Sequence, residues 1–229
     1  MQHITPERKV NLVIFDCDGV LVDSEPLSAD VLMQMMQEQG LPISTEIFRR
    51  DFLGRSFATA SKRYEEQMGI LFPNDFNTQY RSRLLTRMKG NLHPMPGVEN
   101  VLQELRIPYC LATGSSPQRL AVSMGESKLR SFFEGRSFTA SEVKHGKPAP
   151  DLMLFAALKM NTAPELCLVI EDSEMGLRAA QAAGMRAWRF TGGGHLKNGD
   201  TLPHDVVPHR VLDSMPALLE AFREIGIAK

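Results

Sequence analysis

The sequence has almost no charge imbalance and no long apolar run. Lysine and arginine number 26 against 27 aspartates and glutamates, a formal net charge of -1. No global basic excess exists to hold nucleic acid or an anionic membrane, and either partner would need a local patch. The first apolar run, within Val10–Phe15, is too short for a signal segment or a membrane span, and the polar MQHITPERK leads into it. A cytoplasmic protein with neither nucleic acid nor membrane as partner is therefore expected. Cysteine is scarce as well. Cys17, Cys110 and Cys167 each fall in or just after an expected buried strand, which suits small core side chains and not a disulfide framework or a metal set. Internal repeats and low-complexity tracts are absent. The composition, 43% hydrophobic and 23% charged over 229 residues, is that of an ordinary globular protein with chain enough for one full core and a smaller second domain.

What is present centres on Val10–Ser24, VNLVIFDCDGVLVDS. Val10, Leu12, Val13, Ile14 and Phe15 suit a strand buried on both faces of a parallel sheet. Asp16 and Asp18 follow it directly, and Gly19 supplies the backbone freedom of a sharp turn. Ligands of open α/β sheets bind just beyond the carboxyl ends of the strands, where this pair of carboxylates falls.

After Ser24 the pattern turns helical. Leu27, Val31, Leu32, Met35 and Met36 recur at three- and four-residue spacing, Pro26 fits a first turn and Gly40 a C-cap. Further helices are predicted over Thr45–Phe52, Ala58–Met68 and Phe76–Lys89, before Met95-Pro96-Gly97 marks a return linker. Four helical patterns between two strands imply an inserted helical domain. Beyond Val98 strands alternate with helices: Tyr109–Ala112, Ser137–Ala140, Leu166–Ile170 and Arg186–Phe190, with a weaker strand around Val206–Val211 and a last helix capped by Ser214. The expected fold is α/β, a doubly wound parallel sheet with a second, smaller all-helical domain. The domain division places 1–23 and 95–229 in the core and 24–94 in the helical insertion.

Each polar cluster follows a predicted strand, and parallel strands bring their carboxyl ends to one edge. Asp16 and Asp18, Thr113 to Ser116, Lys147, and Glu171 with Asp172 are thus expected in one cleft. Taken singly, each has an ordinary reading: a turn threonine, a solvated lysine, an acidic helix start favoured by the dipole. Their order at successive strand ends is what argues for a site.

The run Asp16-Cys17-Asp18-Gly19-Val20-Leu21-Val22-Asp23-Ser24 resembles the first motif of the haloacid dehalogenase-like (HAD) hydrolase superfamily. Thr113 matches the second motif, Lys147 the third and Glu171-Asp172 the acidic fourth. The resemblance implies a magnesium-dependent phosphohydrolase with Asp16 as nucleophile and a helical cap inserted after the first strand. The chemistry agrees, because cleaving a phosphate monoester depends mainly on positioning and charge neutralisation. Mg²⁺ takes oxygen ligands, here Asp16 and Asp172 with the Asp18 carbonyl and Glu171. Asp16 would form an aspartyl-phosphate. Asp18 would act as general acid and then base, starting protonated because a nearby carboxylate favours that state. Lys147 and Thr113, with the Gly114 and Ser115 amides, would face the phosphoryl oxygens.

The substrate is expected to be a small phosphorylated metabolite, and the chain a monomer or weak homodimer. Within the superfamily the chain looks most like small sugar-phosphate phosphatases, acting on hexose phosphates or 6-phosphogluconate. It departs from β-phosphoglucomutases, which carry a histidine where this chain has Ser28 and basic residues where it has Leu53 and Phe57. Asp18 separates it from the dehalogenases and phosphonatases, and argues against a non-catalytic phospholigand-binding module. Arg55, in a loop resembling the family's specificity loop, would bind a hydroxyl, carboxylate or second phosphate, or else lie solvated. Arg81, Arg83, Arg87 and Lys89 read first as a solvated helix face, with anion steering as the alternative, and His195 first as part of a flexible surface loop, with an approach to the site as the alternative.

Overall fold

The computed structural model describes residues 9–52, 57–196 and 201–229. In chain order, β1 (Leu12–Phe15) is followed by four helices: α1 (Glu25–Glu38), α2 (Thr45–Asp51), α3 (Phe57–Met68) and α4 (Phe76–Met88). Alternation then begins: α5 (Val98–Glu104), β2 (Tyr109–Thr113), α6 (Pro117–Glu126), α7 (Arg130–Phe133), β3 (Ser137–Thr139), α8 (Asp151–Lys159), β4 (Cys167–Glu171), α9 (Glu174–Ala182), β5 (Arg186–Phe190), β6 (Arg210–Leu212) and α10 (Met215–Glu224). Among the described residues no helix is long and apolar enough to cross a membrane.

The six strands form one parallel sheet in the order β3-β2-β1-β4-β5-β6. β1 is the place where the order reverses direction, with Phe15 level with Leu111 on one side and Ile170 on the other. Side chains of β1 alternate between two cores. Val13 and Phe15 pack with Val98 of α5 and with Leu218 and Phe222 of α10, whereas Leu12 and Ile14 pack with Leu152 and Ala156 of α8 and Ala180 of α9. That division of helices between two faces is why β1 reads as continuously apolar.

Phe15, just before the first aspartate, is the centre of the first core. It meets Tyr109, Phe133 and Phe222 edge to face at 6.2–6.5 Å, and Phe222 stacks on Trp188 at 5.6 Å. Helices α2 to α4 share an aromatic cluster of their own, in which Phe72 lies 4.8 Å from Phe76 and 5.2 Å from Tyr64. The Tyr64 hydroxyl donates to the Pro42 carbonyl at 2.6 Å. The chain leaving β1 and the chain returning to α5 run side by side: Val22 bridges Pro94 in antiparallel sense and the Met95 amide donates to the Leu21 carbonyl at 2.8 Å.

One expectation is corrected and one element is new. The last strand is Arg210–Leu212, not Val206–Val211, because Pro208 has no N–H for a ladder and Val206 turns into the core beneath α9 while Val207 is exposed. The short α7 was not anticipated. It is one turn long, too brief for a periodic signal, and delivers Phe133 to Phe15.

Phe222 is fully buried between two rings. Replacing it with alanine is expected to lower stability by about 4 kcal/mol, read from the urea unfolding midpoint.

Candidate active site

Three strand ends and one loop build the cleft. Past β1, the chain turns at Gly19 with φ +81°, and a Cβ there would lie 2.0 Å from Asp172 Oδ2. Past β4, Glu171 and Asp172 enter α9. A Cβ on Gly176 would lie 1.6 Å from Glu171 Oε1, so this glycine lets the helix close over the carboxylate. Ser173 caps α9 by accepting from the Gly176 amide at 3.1 Å, while its own N–H and hydroxyl donate to Glu171 Oε2 at 2.7 and 3.0 Å. Past β2, Ser116 caps α6 and accepts from the Arg119 amide at 3.3 Å. Lys147 reaches in from the loop before α8 and donates to Asp16 Oδ1 at 2.6 Å and to Glu171 Oε1 at 2.7 Å.

Oxygens of Asp16, Glu171 and Asp172 fall within 4.8 Å of one another, and all three side chains are buried. Burial pushes Asp16 up to about 7; Glu171 and Asp18 add to the rise and Lys147 opposes it. Burial, then Glu171 and Asp16, push Asp172 well above the usual carboxylate range. Burial acts on Glu171 too, but Lys147 and the Ser173 amide hold it below its usual value. The cluster is short of positive charge. A donor set of oxygens alone, with excess negative charge and two glycines that clear space for the carboxylates, fits a hard divalent cation such as Mg²⁺.

Asp18 corrects an expectation. Burial alone would protonate it, but the Arg119 guanidinium at 2.8 Å and the hydroxyls of Ser115 at 2.6 Å and Ser24 at 2.5 Å hold it below the usual range. These three contacts favour the ionised form of Asp18. The reasoning that protonated it counted its carboxylate neighbours and not Arg119, which lies 101 positions away. Arg119 Nη2 also donates to Ser28 Oγ at 3.2 Å and to Ser24 Oγ at 3.3 Å, and lies 3.7 Å from Glu25 Oε1. Burial pushes Glu25 up to about 7, with Arg119 opposing and Asp18 and Asp23 adding.

The cleft is a cavity of about 800 Å³ whose wall opposite the carboxylates includes Glu25, Ser28, Phe48, Tyr80 and Arg81 from α1, α2 and α4. Thr113, Gly114 and Ser115 line it as expected. The Ser115 amide, however, donates to Thr113 Oγ1 at 3.0 Å, and the Ser115 hydroxyl goes to Asp18. Arg83 pairs with Glu38 at 2.5 Å on the surface, as a solvated face requires. Arg55 lies outside the described residues.

For His195 the surface-loop reading gives way to its alternative, an approach to the site: its side chain is 8% exposed and its Nε2 sits 2.9 Å from Asp172 Oδ2. Sequence reasoning missed Arg119 altogether. Both follow the strand-end rule that found the others, since Arg119 is in the first turn after the β2 loop and His195 is five residues past β5.

Residues 10–184 match the family model of haloacid dehalogenase-like hydrolases. The 6-phosphogluconate phosphatase of Escherichia coli (strain K12) is 27% identical over 190 residues, covering 82% of this chain and 86% of that protein. Fructose-1-phosphate phosphatase YqaB of the same organism is 30% identical over 182 residues, 79% of this chain and 96% of that one. A conserved haloacid dehalogenase-like protein of unknown function from Agrobacterium tumefaciens superposes with a TM-score of 0.80 at 31% identity, covering 93% of this chain and 99% of its own. With the family model matching most of the sequence, and with the acidic cluster at the carboxyl edge of the sheet, this chain belongs to the haloacid dehalogenase-like hydrolases.

Proposed function

We propose that this chain is a Mg²⁺-dependent phosphatase that hydrolyses a small phosphorylated metabolite, a sugar phosphate, through an aspartyl-phosphate on Asp16. The observation that carries the reading is the buried trio Asp16, Glu171 and Asp172, with Lys147 bridging two of its members, at the switch point of the sheet. Relatives that cover most of this chain are named as phosphatases of 6-phosphogluconate and fructose 1-phosphate.

Asp16 and Asp172, with the Asp18 carbonyl and Glu171, would hold the cation, which when bound offsets repulsion between the carboxylates and the phosphate. Lys147 neutralises a phosphoryl oxygen, and Thr113 with the Gly114 amide donates to the others. The Asp16 carboxylate then attacks phosphorus and the bond to the leaving oxygen breaks as Asp18 delivers its proton there. In the second half Asp18 takes a proton from water, whose oxygen attacks the phosphoryl group and frees Asp16. Asp18 must carry a proton for the first half, which its contact with Arg119 opposes. Hydroxyls of a sugar leaving group are suitable replacement partners for that guanidinium, and this links acid catalysis to a polyhydroxylated substrate.

Residues 24–94 act in this reading as a cap that selects the leaving group. Support comes from the wall that Glu25, Ser28, Tyr80 and Arg81 present to the cleft.

A panel of sugar phosphates should release inorganic phosphate with Mg²⁺ present and not with EDTA. Asp16→Asn is expected to lower turnover by about a thousandfold or more; metal-independent release that survives this substitution would exclude the mechanism. Asp18→Asn should lower kcat on sugar phosphates by about 10²- to 10⁴-fold. With an aryl phosphate, whose leaving group needs no proton, that variant should accumulate protein heavier by one phosphoryl group, as seen by intact mass spectrometry.

A further inference from the structure

Beyond β5 the chain stays at the carboxyl edge of the sheet and makes a 3-10 turn over Gly194–Leu196. His195 points inward from this turn to Asp172 Oδ2, at 2.9 Å. Two backbones make room for its ring. A Cβ on Gly193 would come 2.8 Å from His195 Cε1 and Nδ1, and one on Gly19 would come 2.9 Å from Cε1. Leu196, next in the chain, is buried and anchors the turn.

The same turn is tied to the chain leaving β1. The Gly194 amide donates to Asp23 Oδ1 at 3.0 Å, and a Cβ on Gly194 would come 3.1 Å from Pro26 Cγ. One short segment thus touches a carboxylate of the acidic trio with one residue and the entry to α1 with its neighbour. Among the described residues the mutually close ligand atoms belong to Asp16, Glu171 and Asp172, and His195 lies outside that set. His195 thus contacts one member of the set without belonging to it.

We propose that His195 is a positioning residue for the metal site. By donating from Nε2 to the Asp172 carboxylate it fixes the orientation of that ligand, and the Asp23–Gly194 hydrogen bond ties this setting to the linker into α1. A carboxylate beside Asp16 and Glu171 is repelled by both, and an oriented N–H at its Oδ2 counters the tendency to swing away. Hydrogen bonds that orient a ligand in this way are typically worth about 10- to 100-fold in metal affinity. The inference rests on the metal binding in the function proposed above.

Titration calorimetry of the full chain with MgCl₂ tests it without reference to turnover. His195→Ala is expected to weaken Mg²⁺ binding by about 10- to 100-fold. His195→Gln, which keeps an N–H donor, should recover most of the loss, and Asp23→Ala should show a smaller loss of a few fold. Melting temperatures taken in EDTA should match that of the unsubstituted protein, which separates ligand positioning from folding. Undiminished affinity in His195→Ala would overturn the proposal, as would a glutamine variant no better than alanine. Unchanged affinity in Asp23→Ala would remove the link to the linker. Failure of the unsubstituted protein to bind Mg²⁺ would instead bring down the metal-dependent reading, and this inference with it.

Discussion

The structure depends on holding four carboxylates, Asp16, Asp18, Glu171 and Asp172, in a buried cleft with two cations, Lys147 and Arg119. Like charges at this density repel, and burial raises the cost because no water screens them. The fold denies them an alternative. Asp16 is fixed by Phe15, locked among three rings, while Asp172 and Glu171 occupy space that Gly19 and Gly176 leave free of a Cβ. The parallel sheet supplies the rest, since its central strands end on one edge and the capped starts of α6 and α9 face the same cleft. In the proposed function a cation would supply the positive charge that this cluster of oxygens lacks.

The two cations divide the site into two functions. Lys147 spans Asp16 and Glu171, on the side where phosphoryl oxygens would sit. Arg119 spans Asp18 and the hydroxyls of Ser24 and Ser28, toward the wall formed by α1 and α4. In the proposed reaction the first pairing would serve any phosphate ester. The second lies between Asp18 and the helices lining the cleft, where the leaving group would be met beside the residue proposed to handle its proton.

Much of this was legible in the sequence, because the signals were local. A buried β-branched strand ending in Asp-x-Asp-Gly, a lysine before Pro-Ala-Pro and an acidic pair after a second buried strand each need only a few neighbouring residues to be recognised. Parallel-sheet geometry then brings them together without further information. Arg119 and His195 were different. An arginine in the first turn of a helix, or a histidine after three glycines, has an unremarkable solvated reading, and only the three-dimensional neighbourhood shows what each is turned toward. The ionisation of Asp18 failed for the same reason: its chain neighbours argue for a proton, and a residue from α6 argues against it. At the last strand the apolar pattern of Val206–Val211 suggests a longer element than Pro208 allows.

The room left for the His195 ring restricts which sequences this loop accepts. A Cβ at position 193 would force the His195 imidazole to shift, and a shorter side chain at 195 would relieve that contact while leaving the Gly19 carbonyl at 3.1 Å. Position 19 gains no such freedom, since its positive φ and the Asp172 carboxylate 2.0 Å from a would-be Cβ exclude other residues whatever stands at 195. Variation in the loop is therefore asymmetric: a change at 193 displaces the His195 ring, whereas the glycine after Asp18 stays fixed as long as the acidic trio is kept.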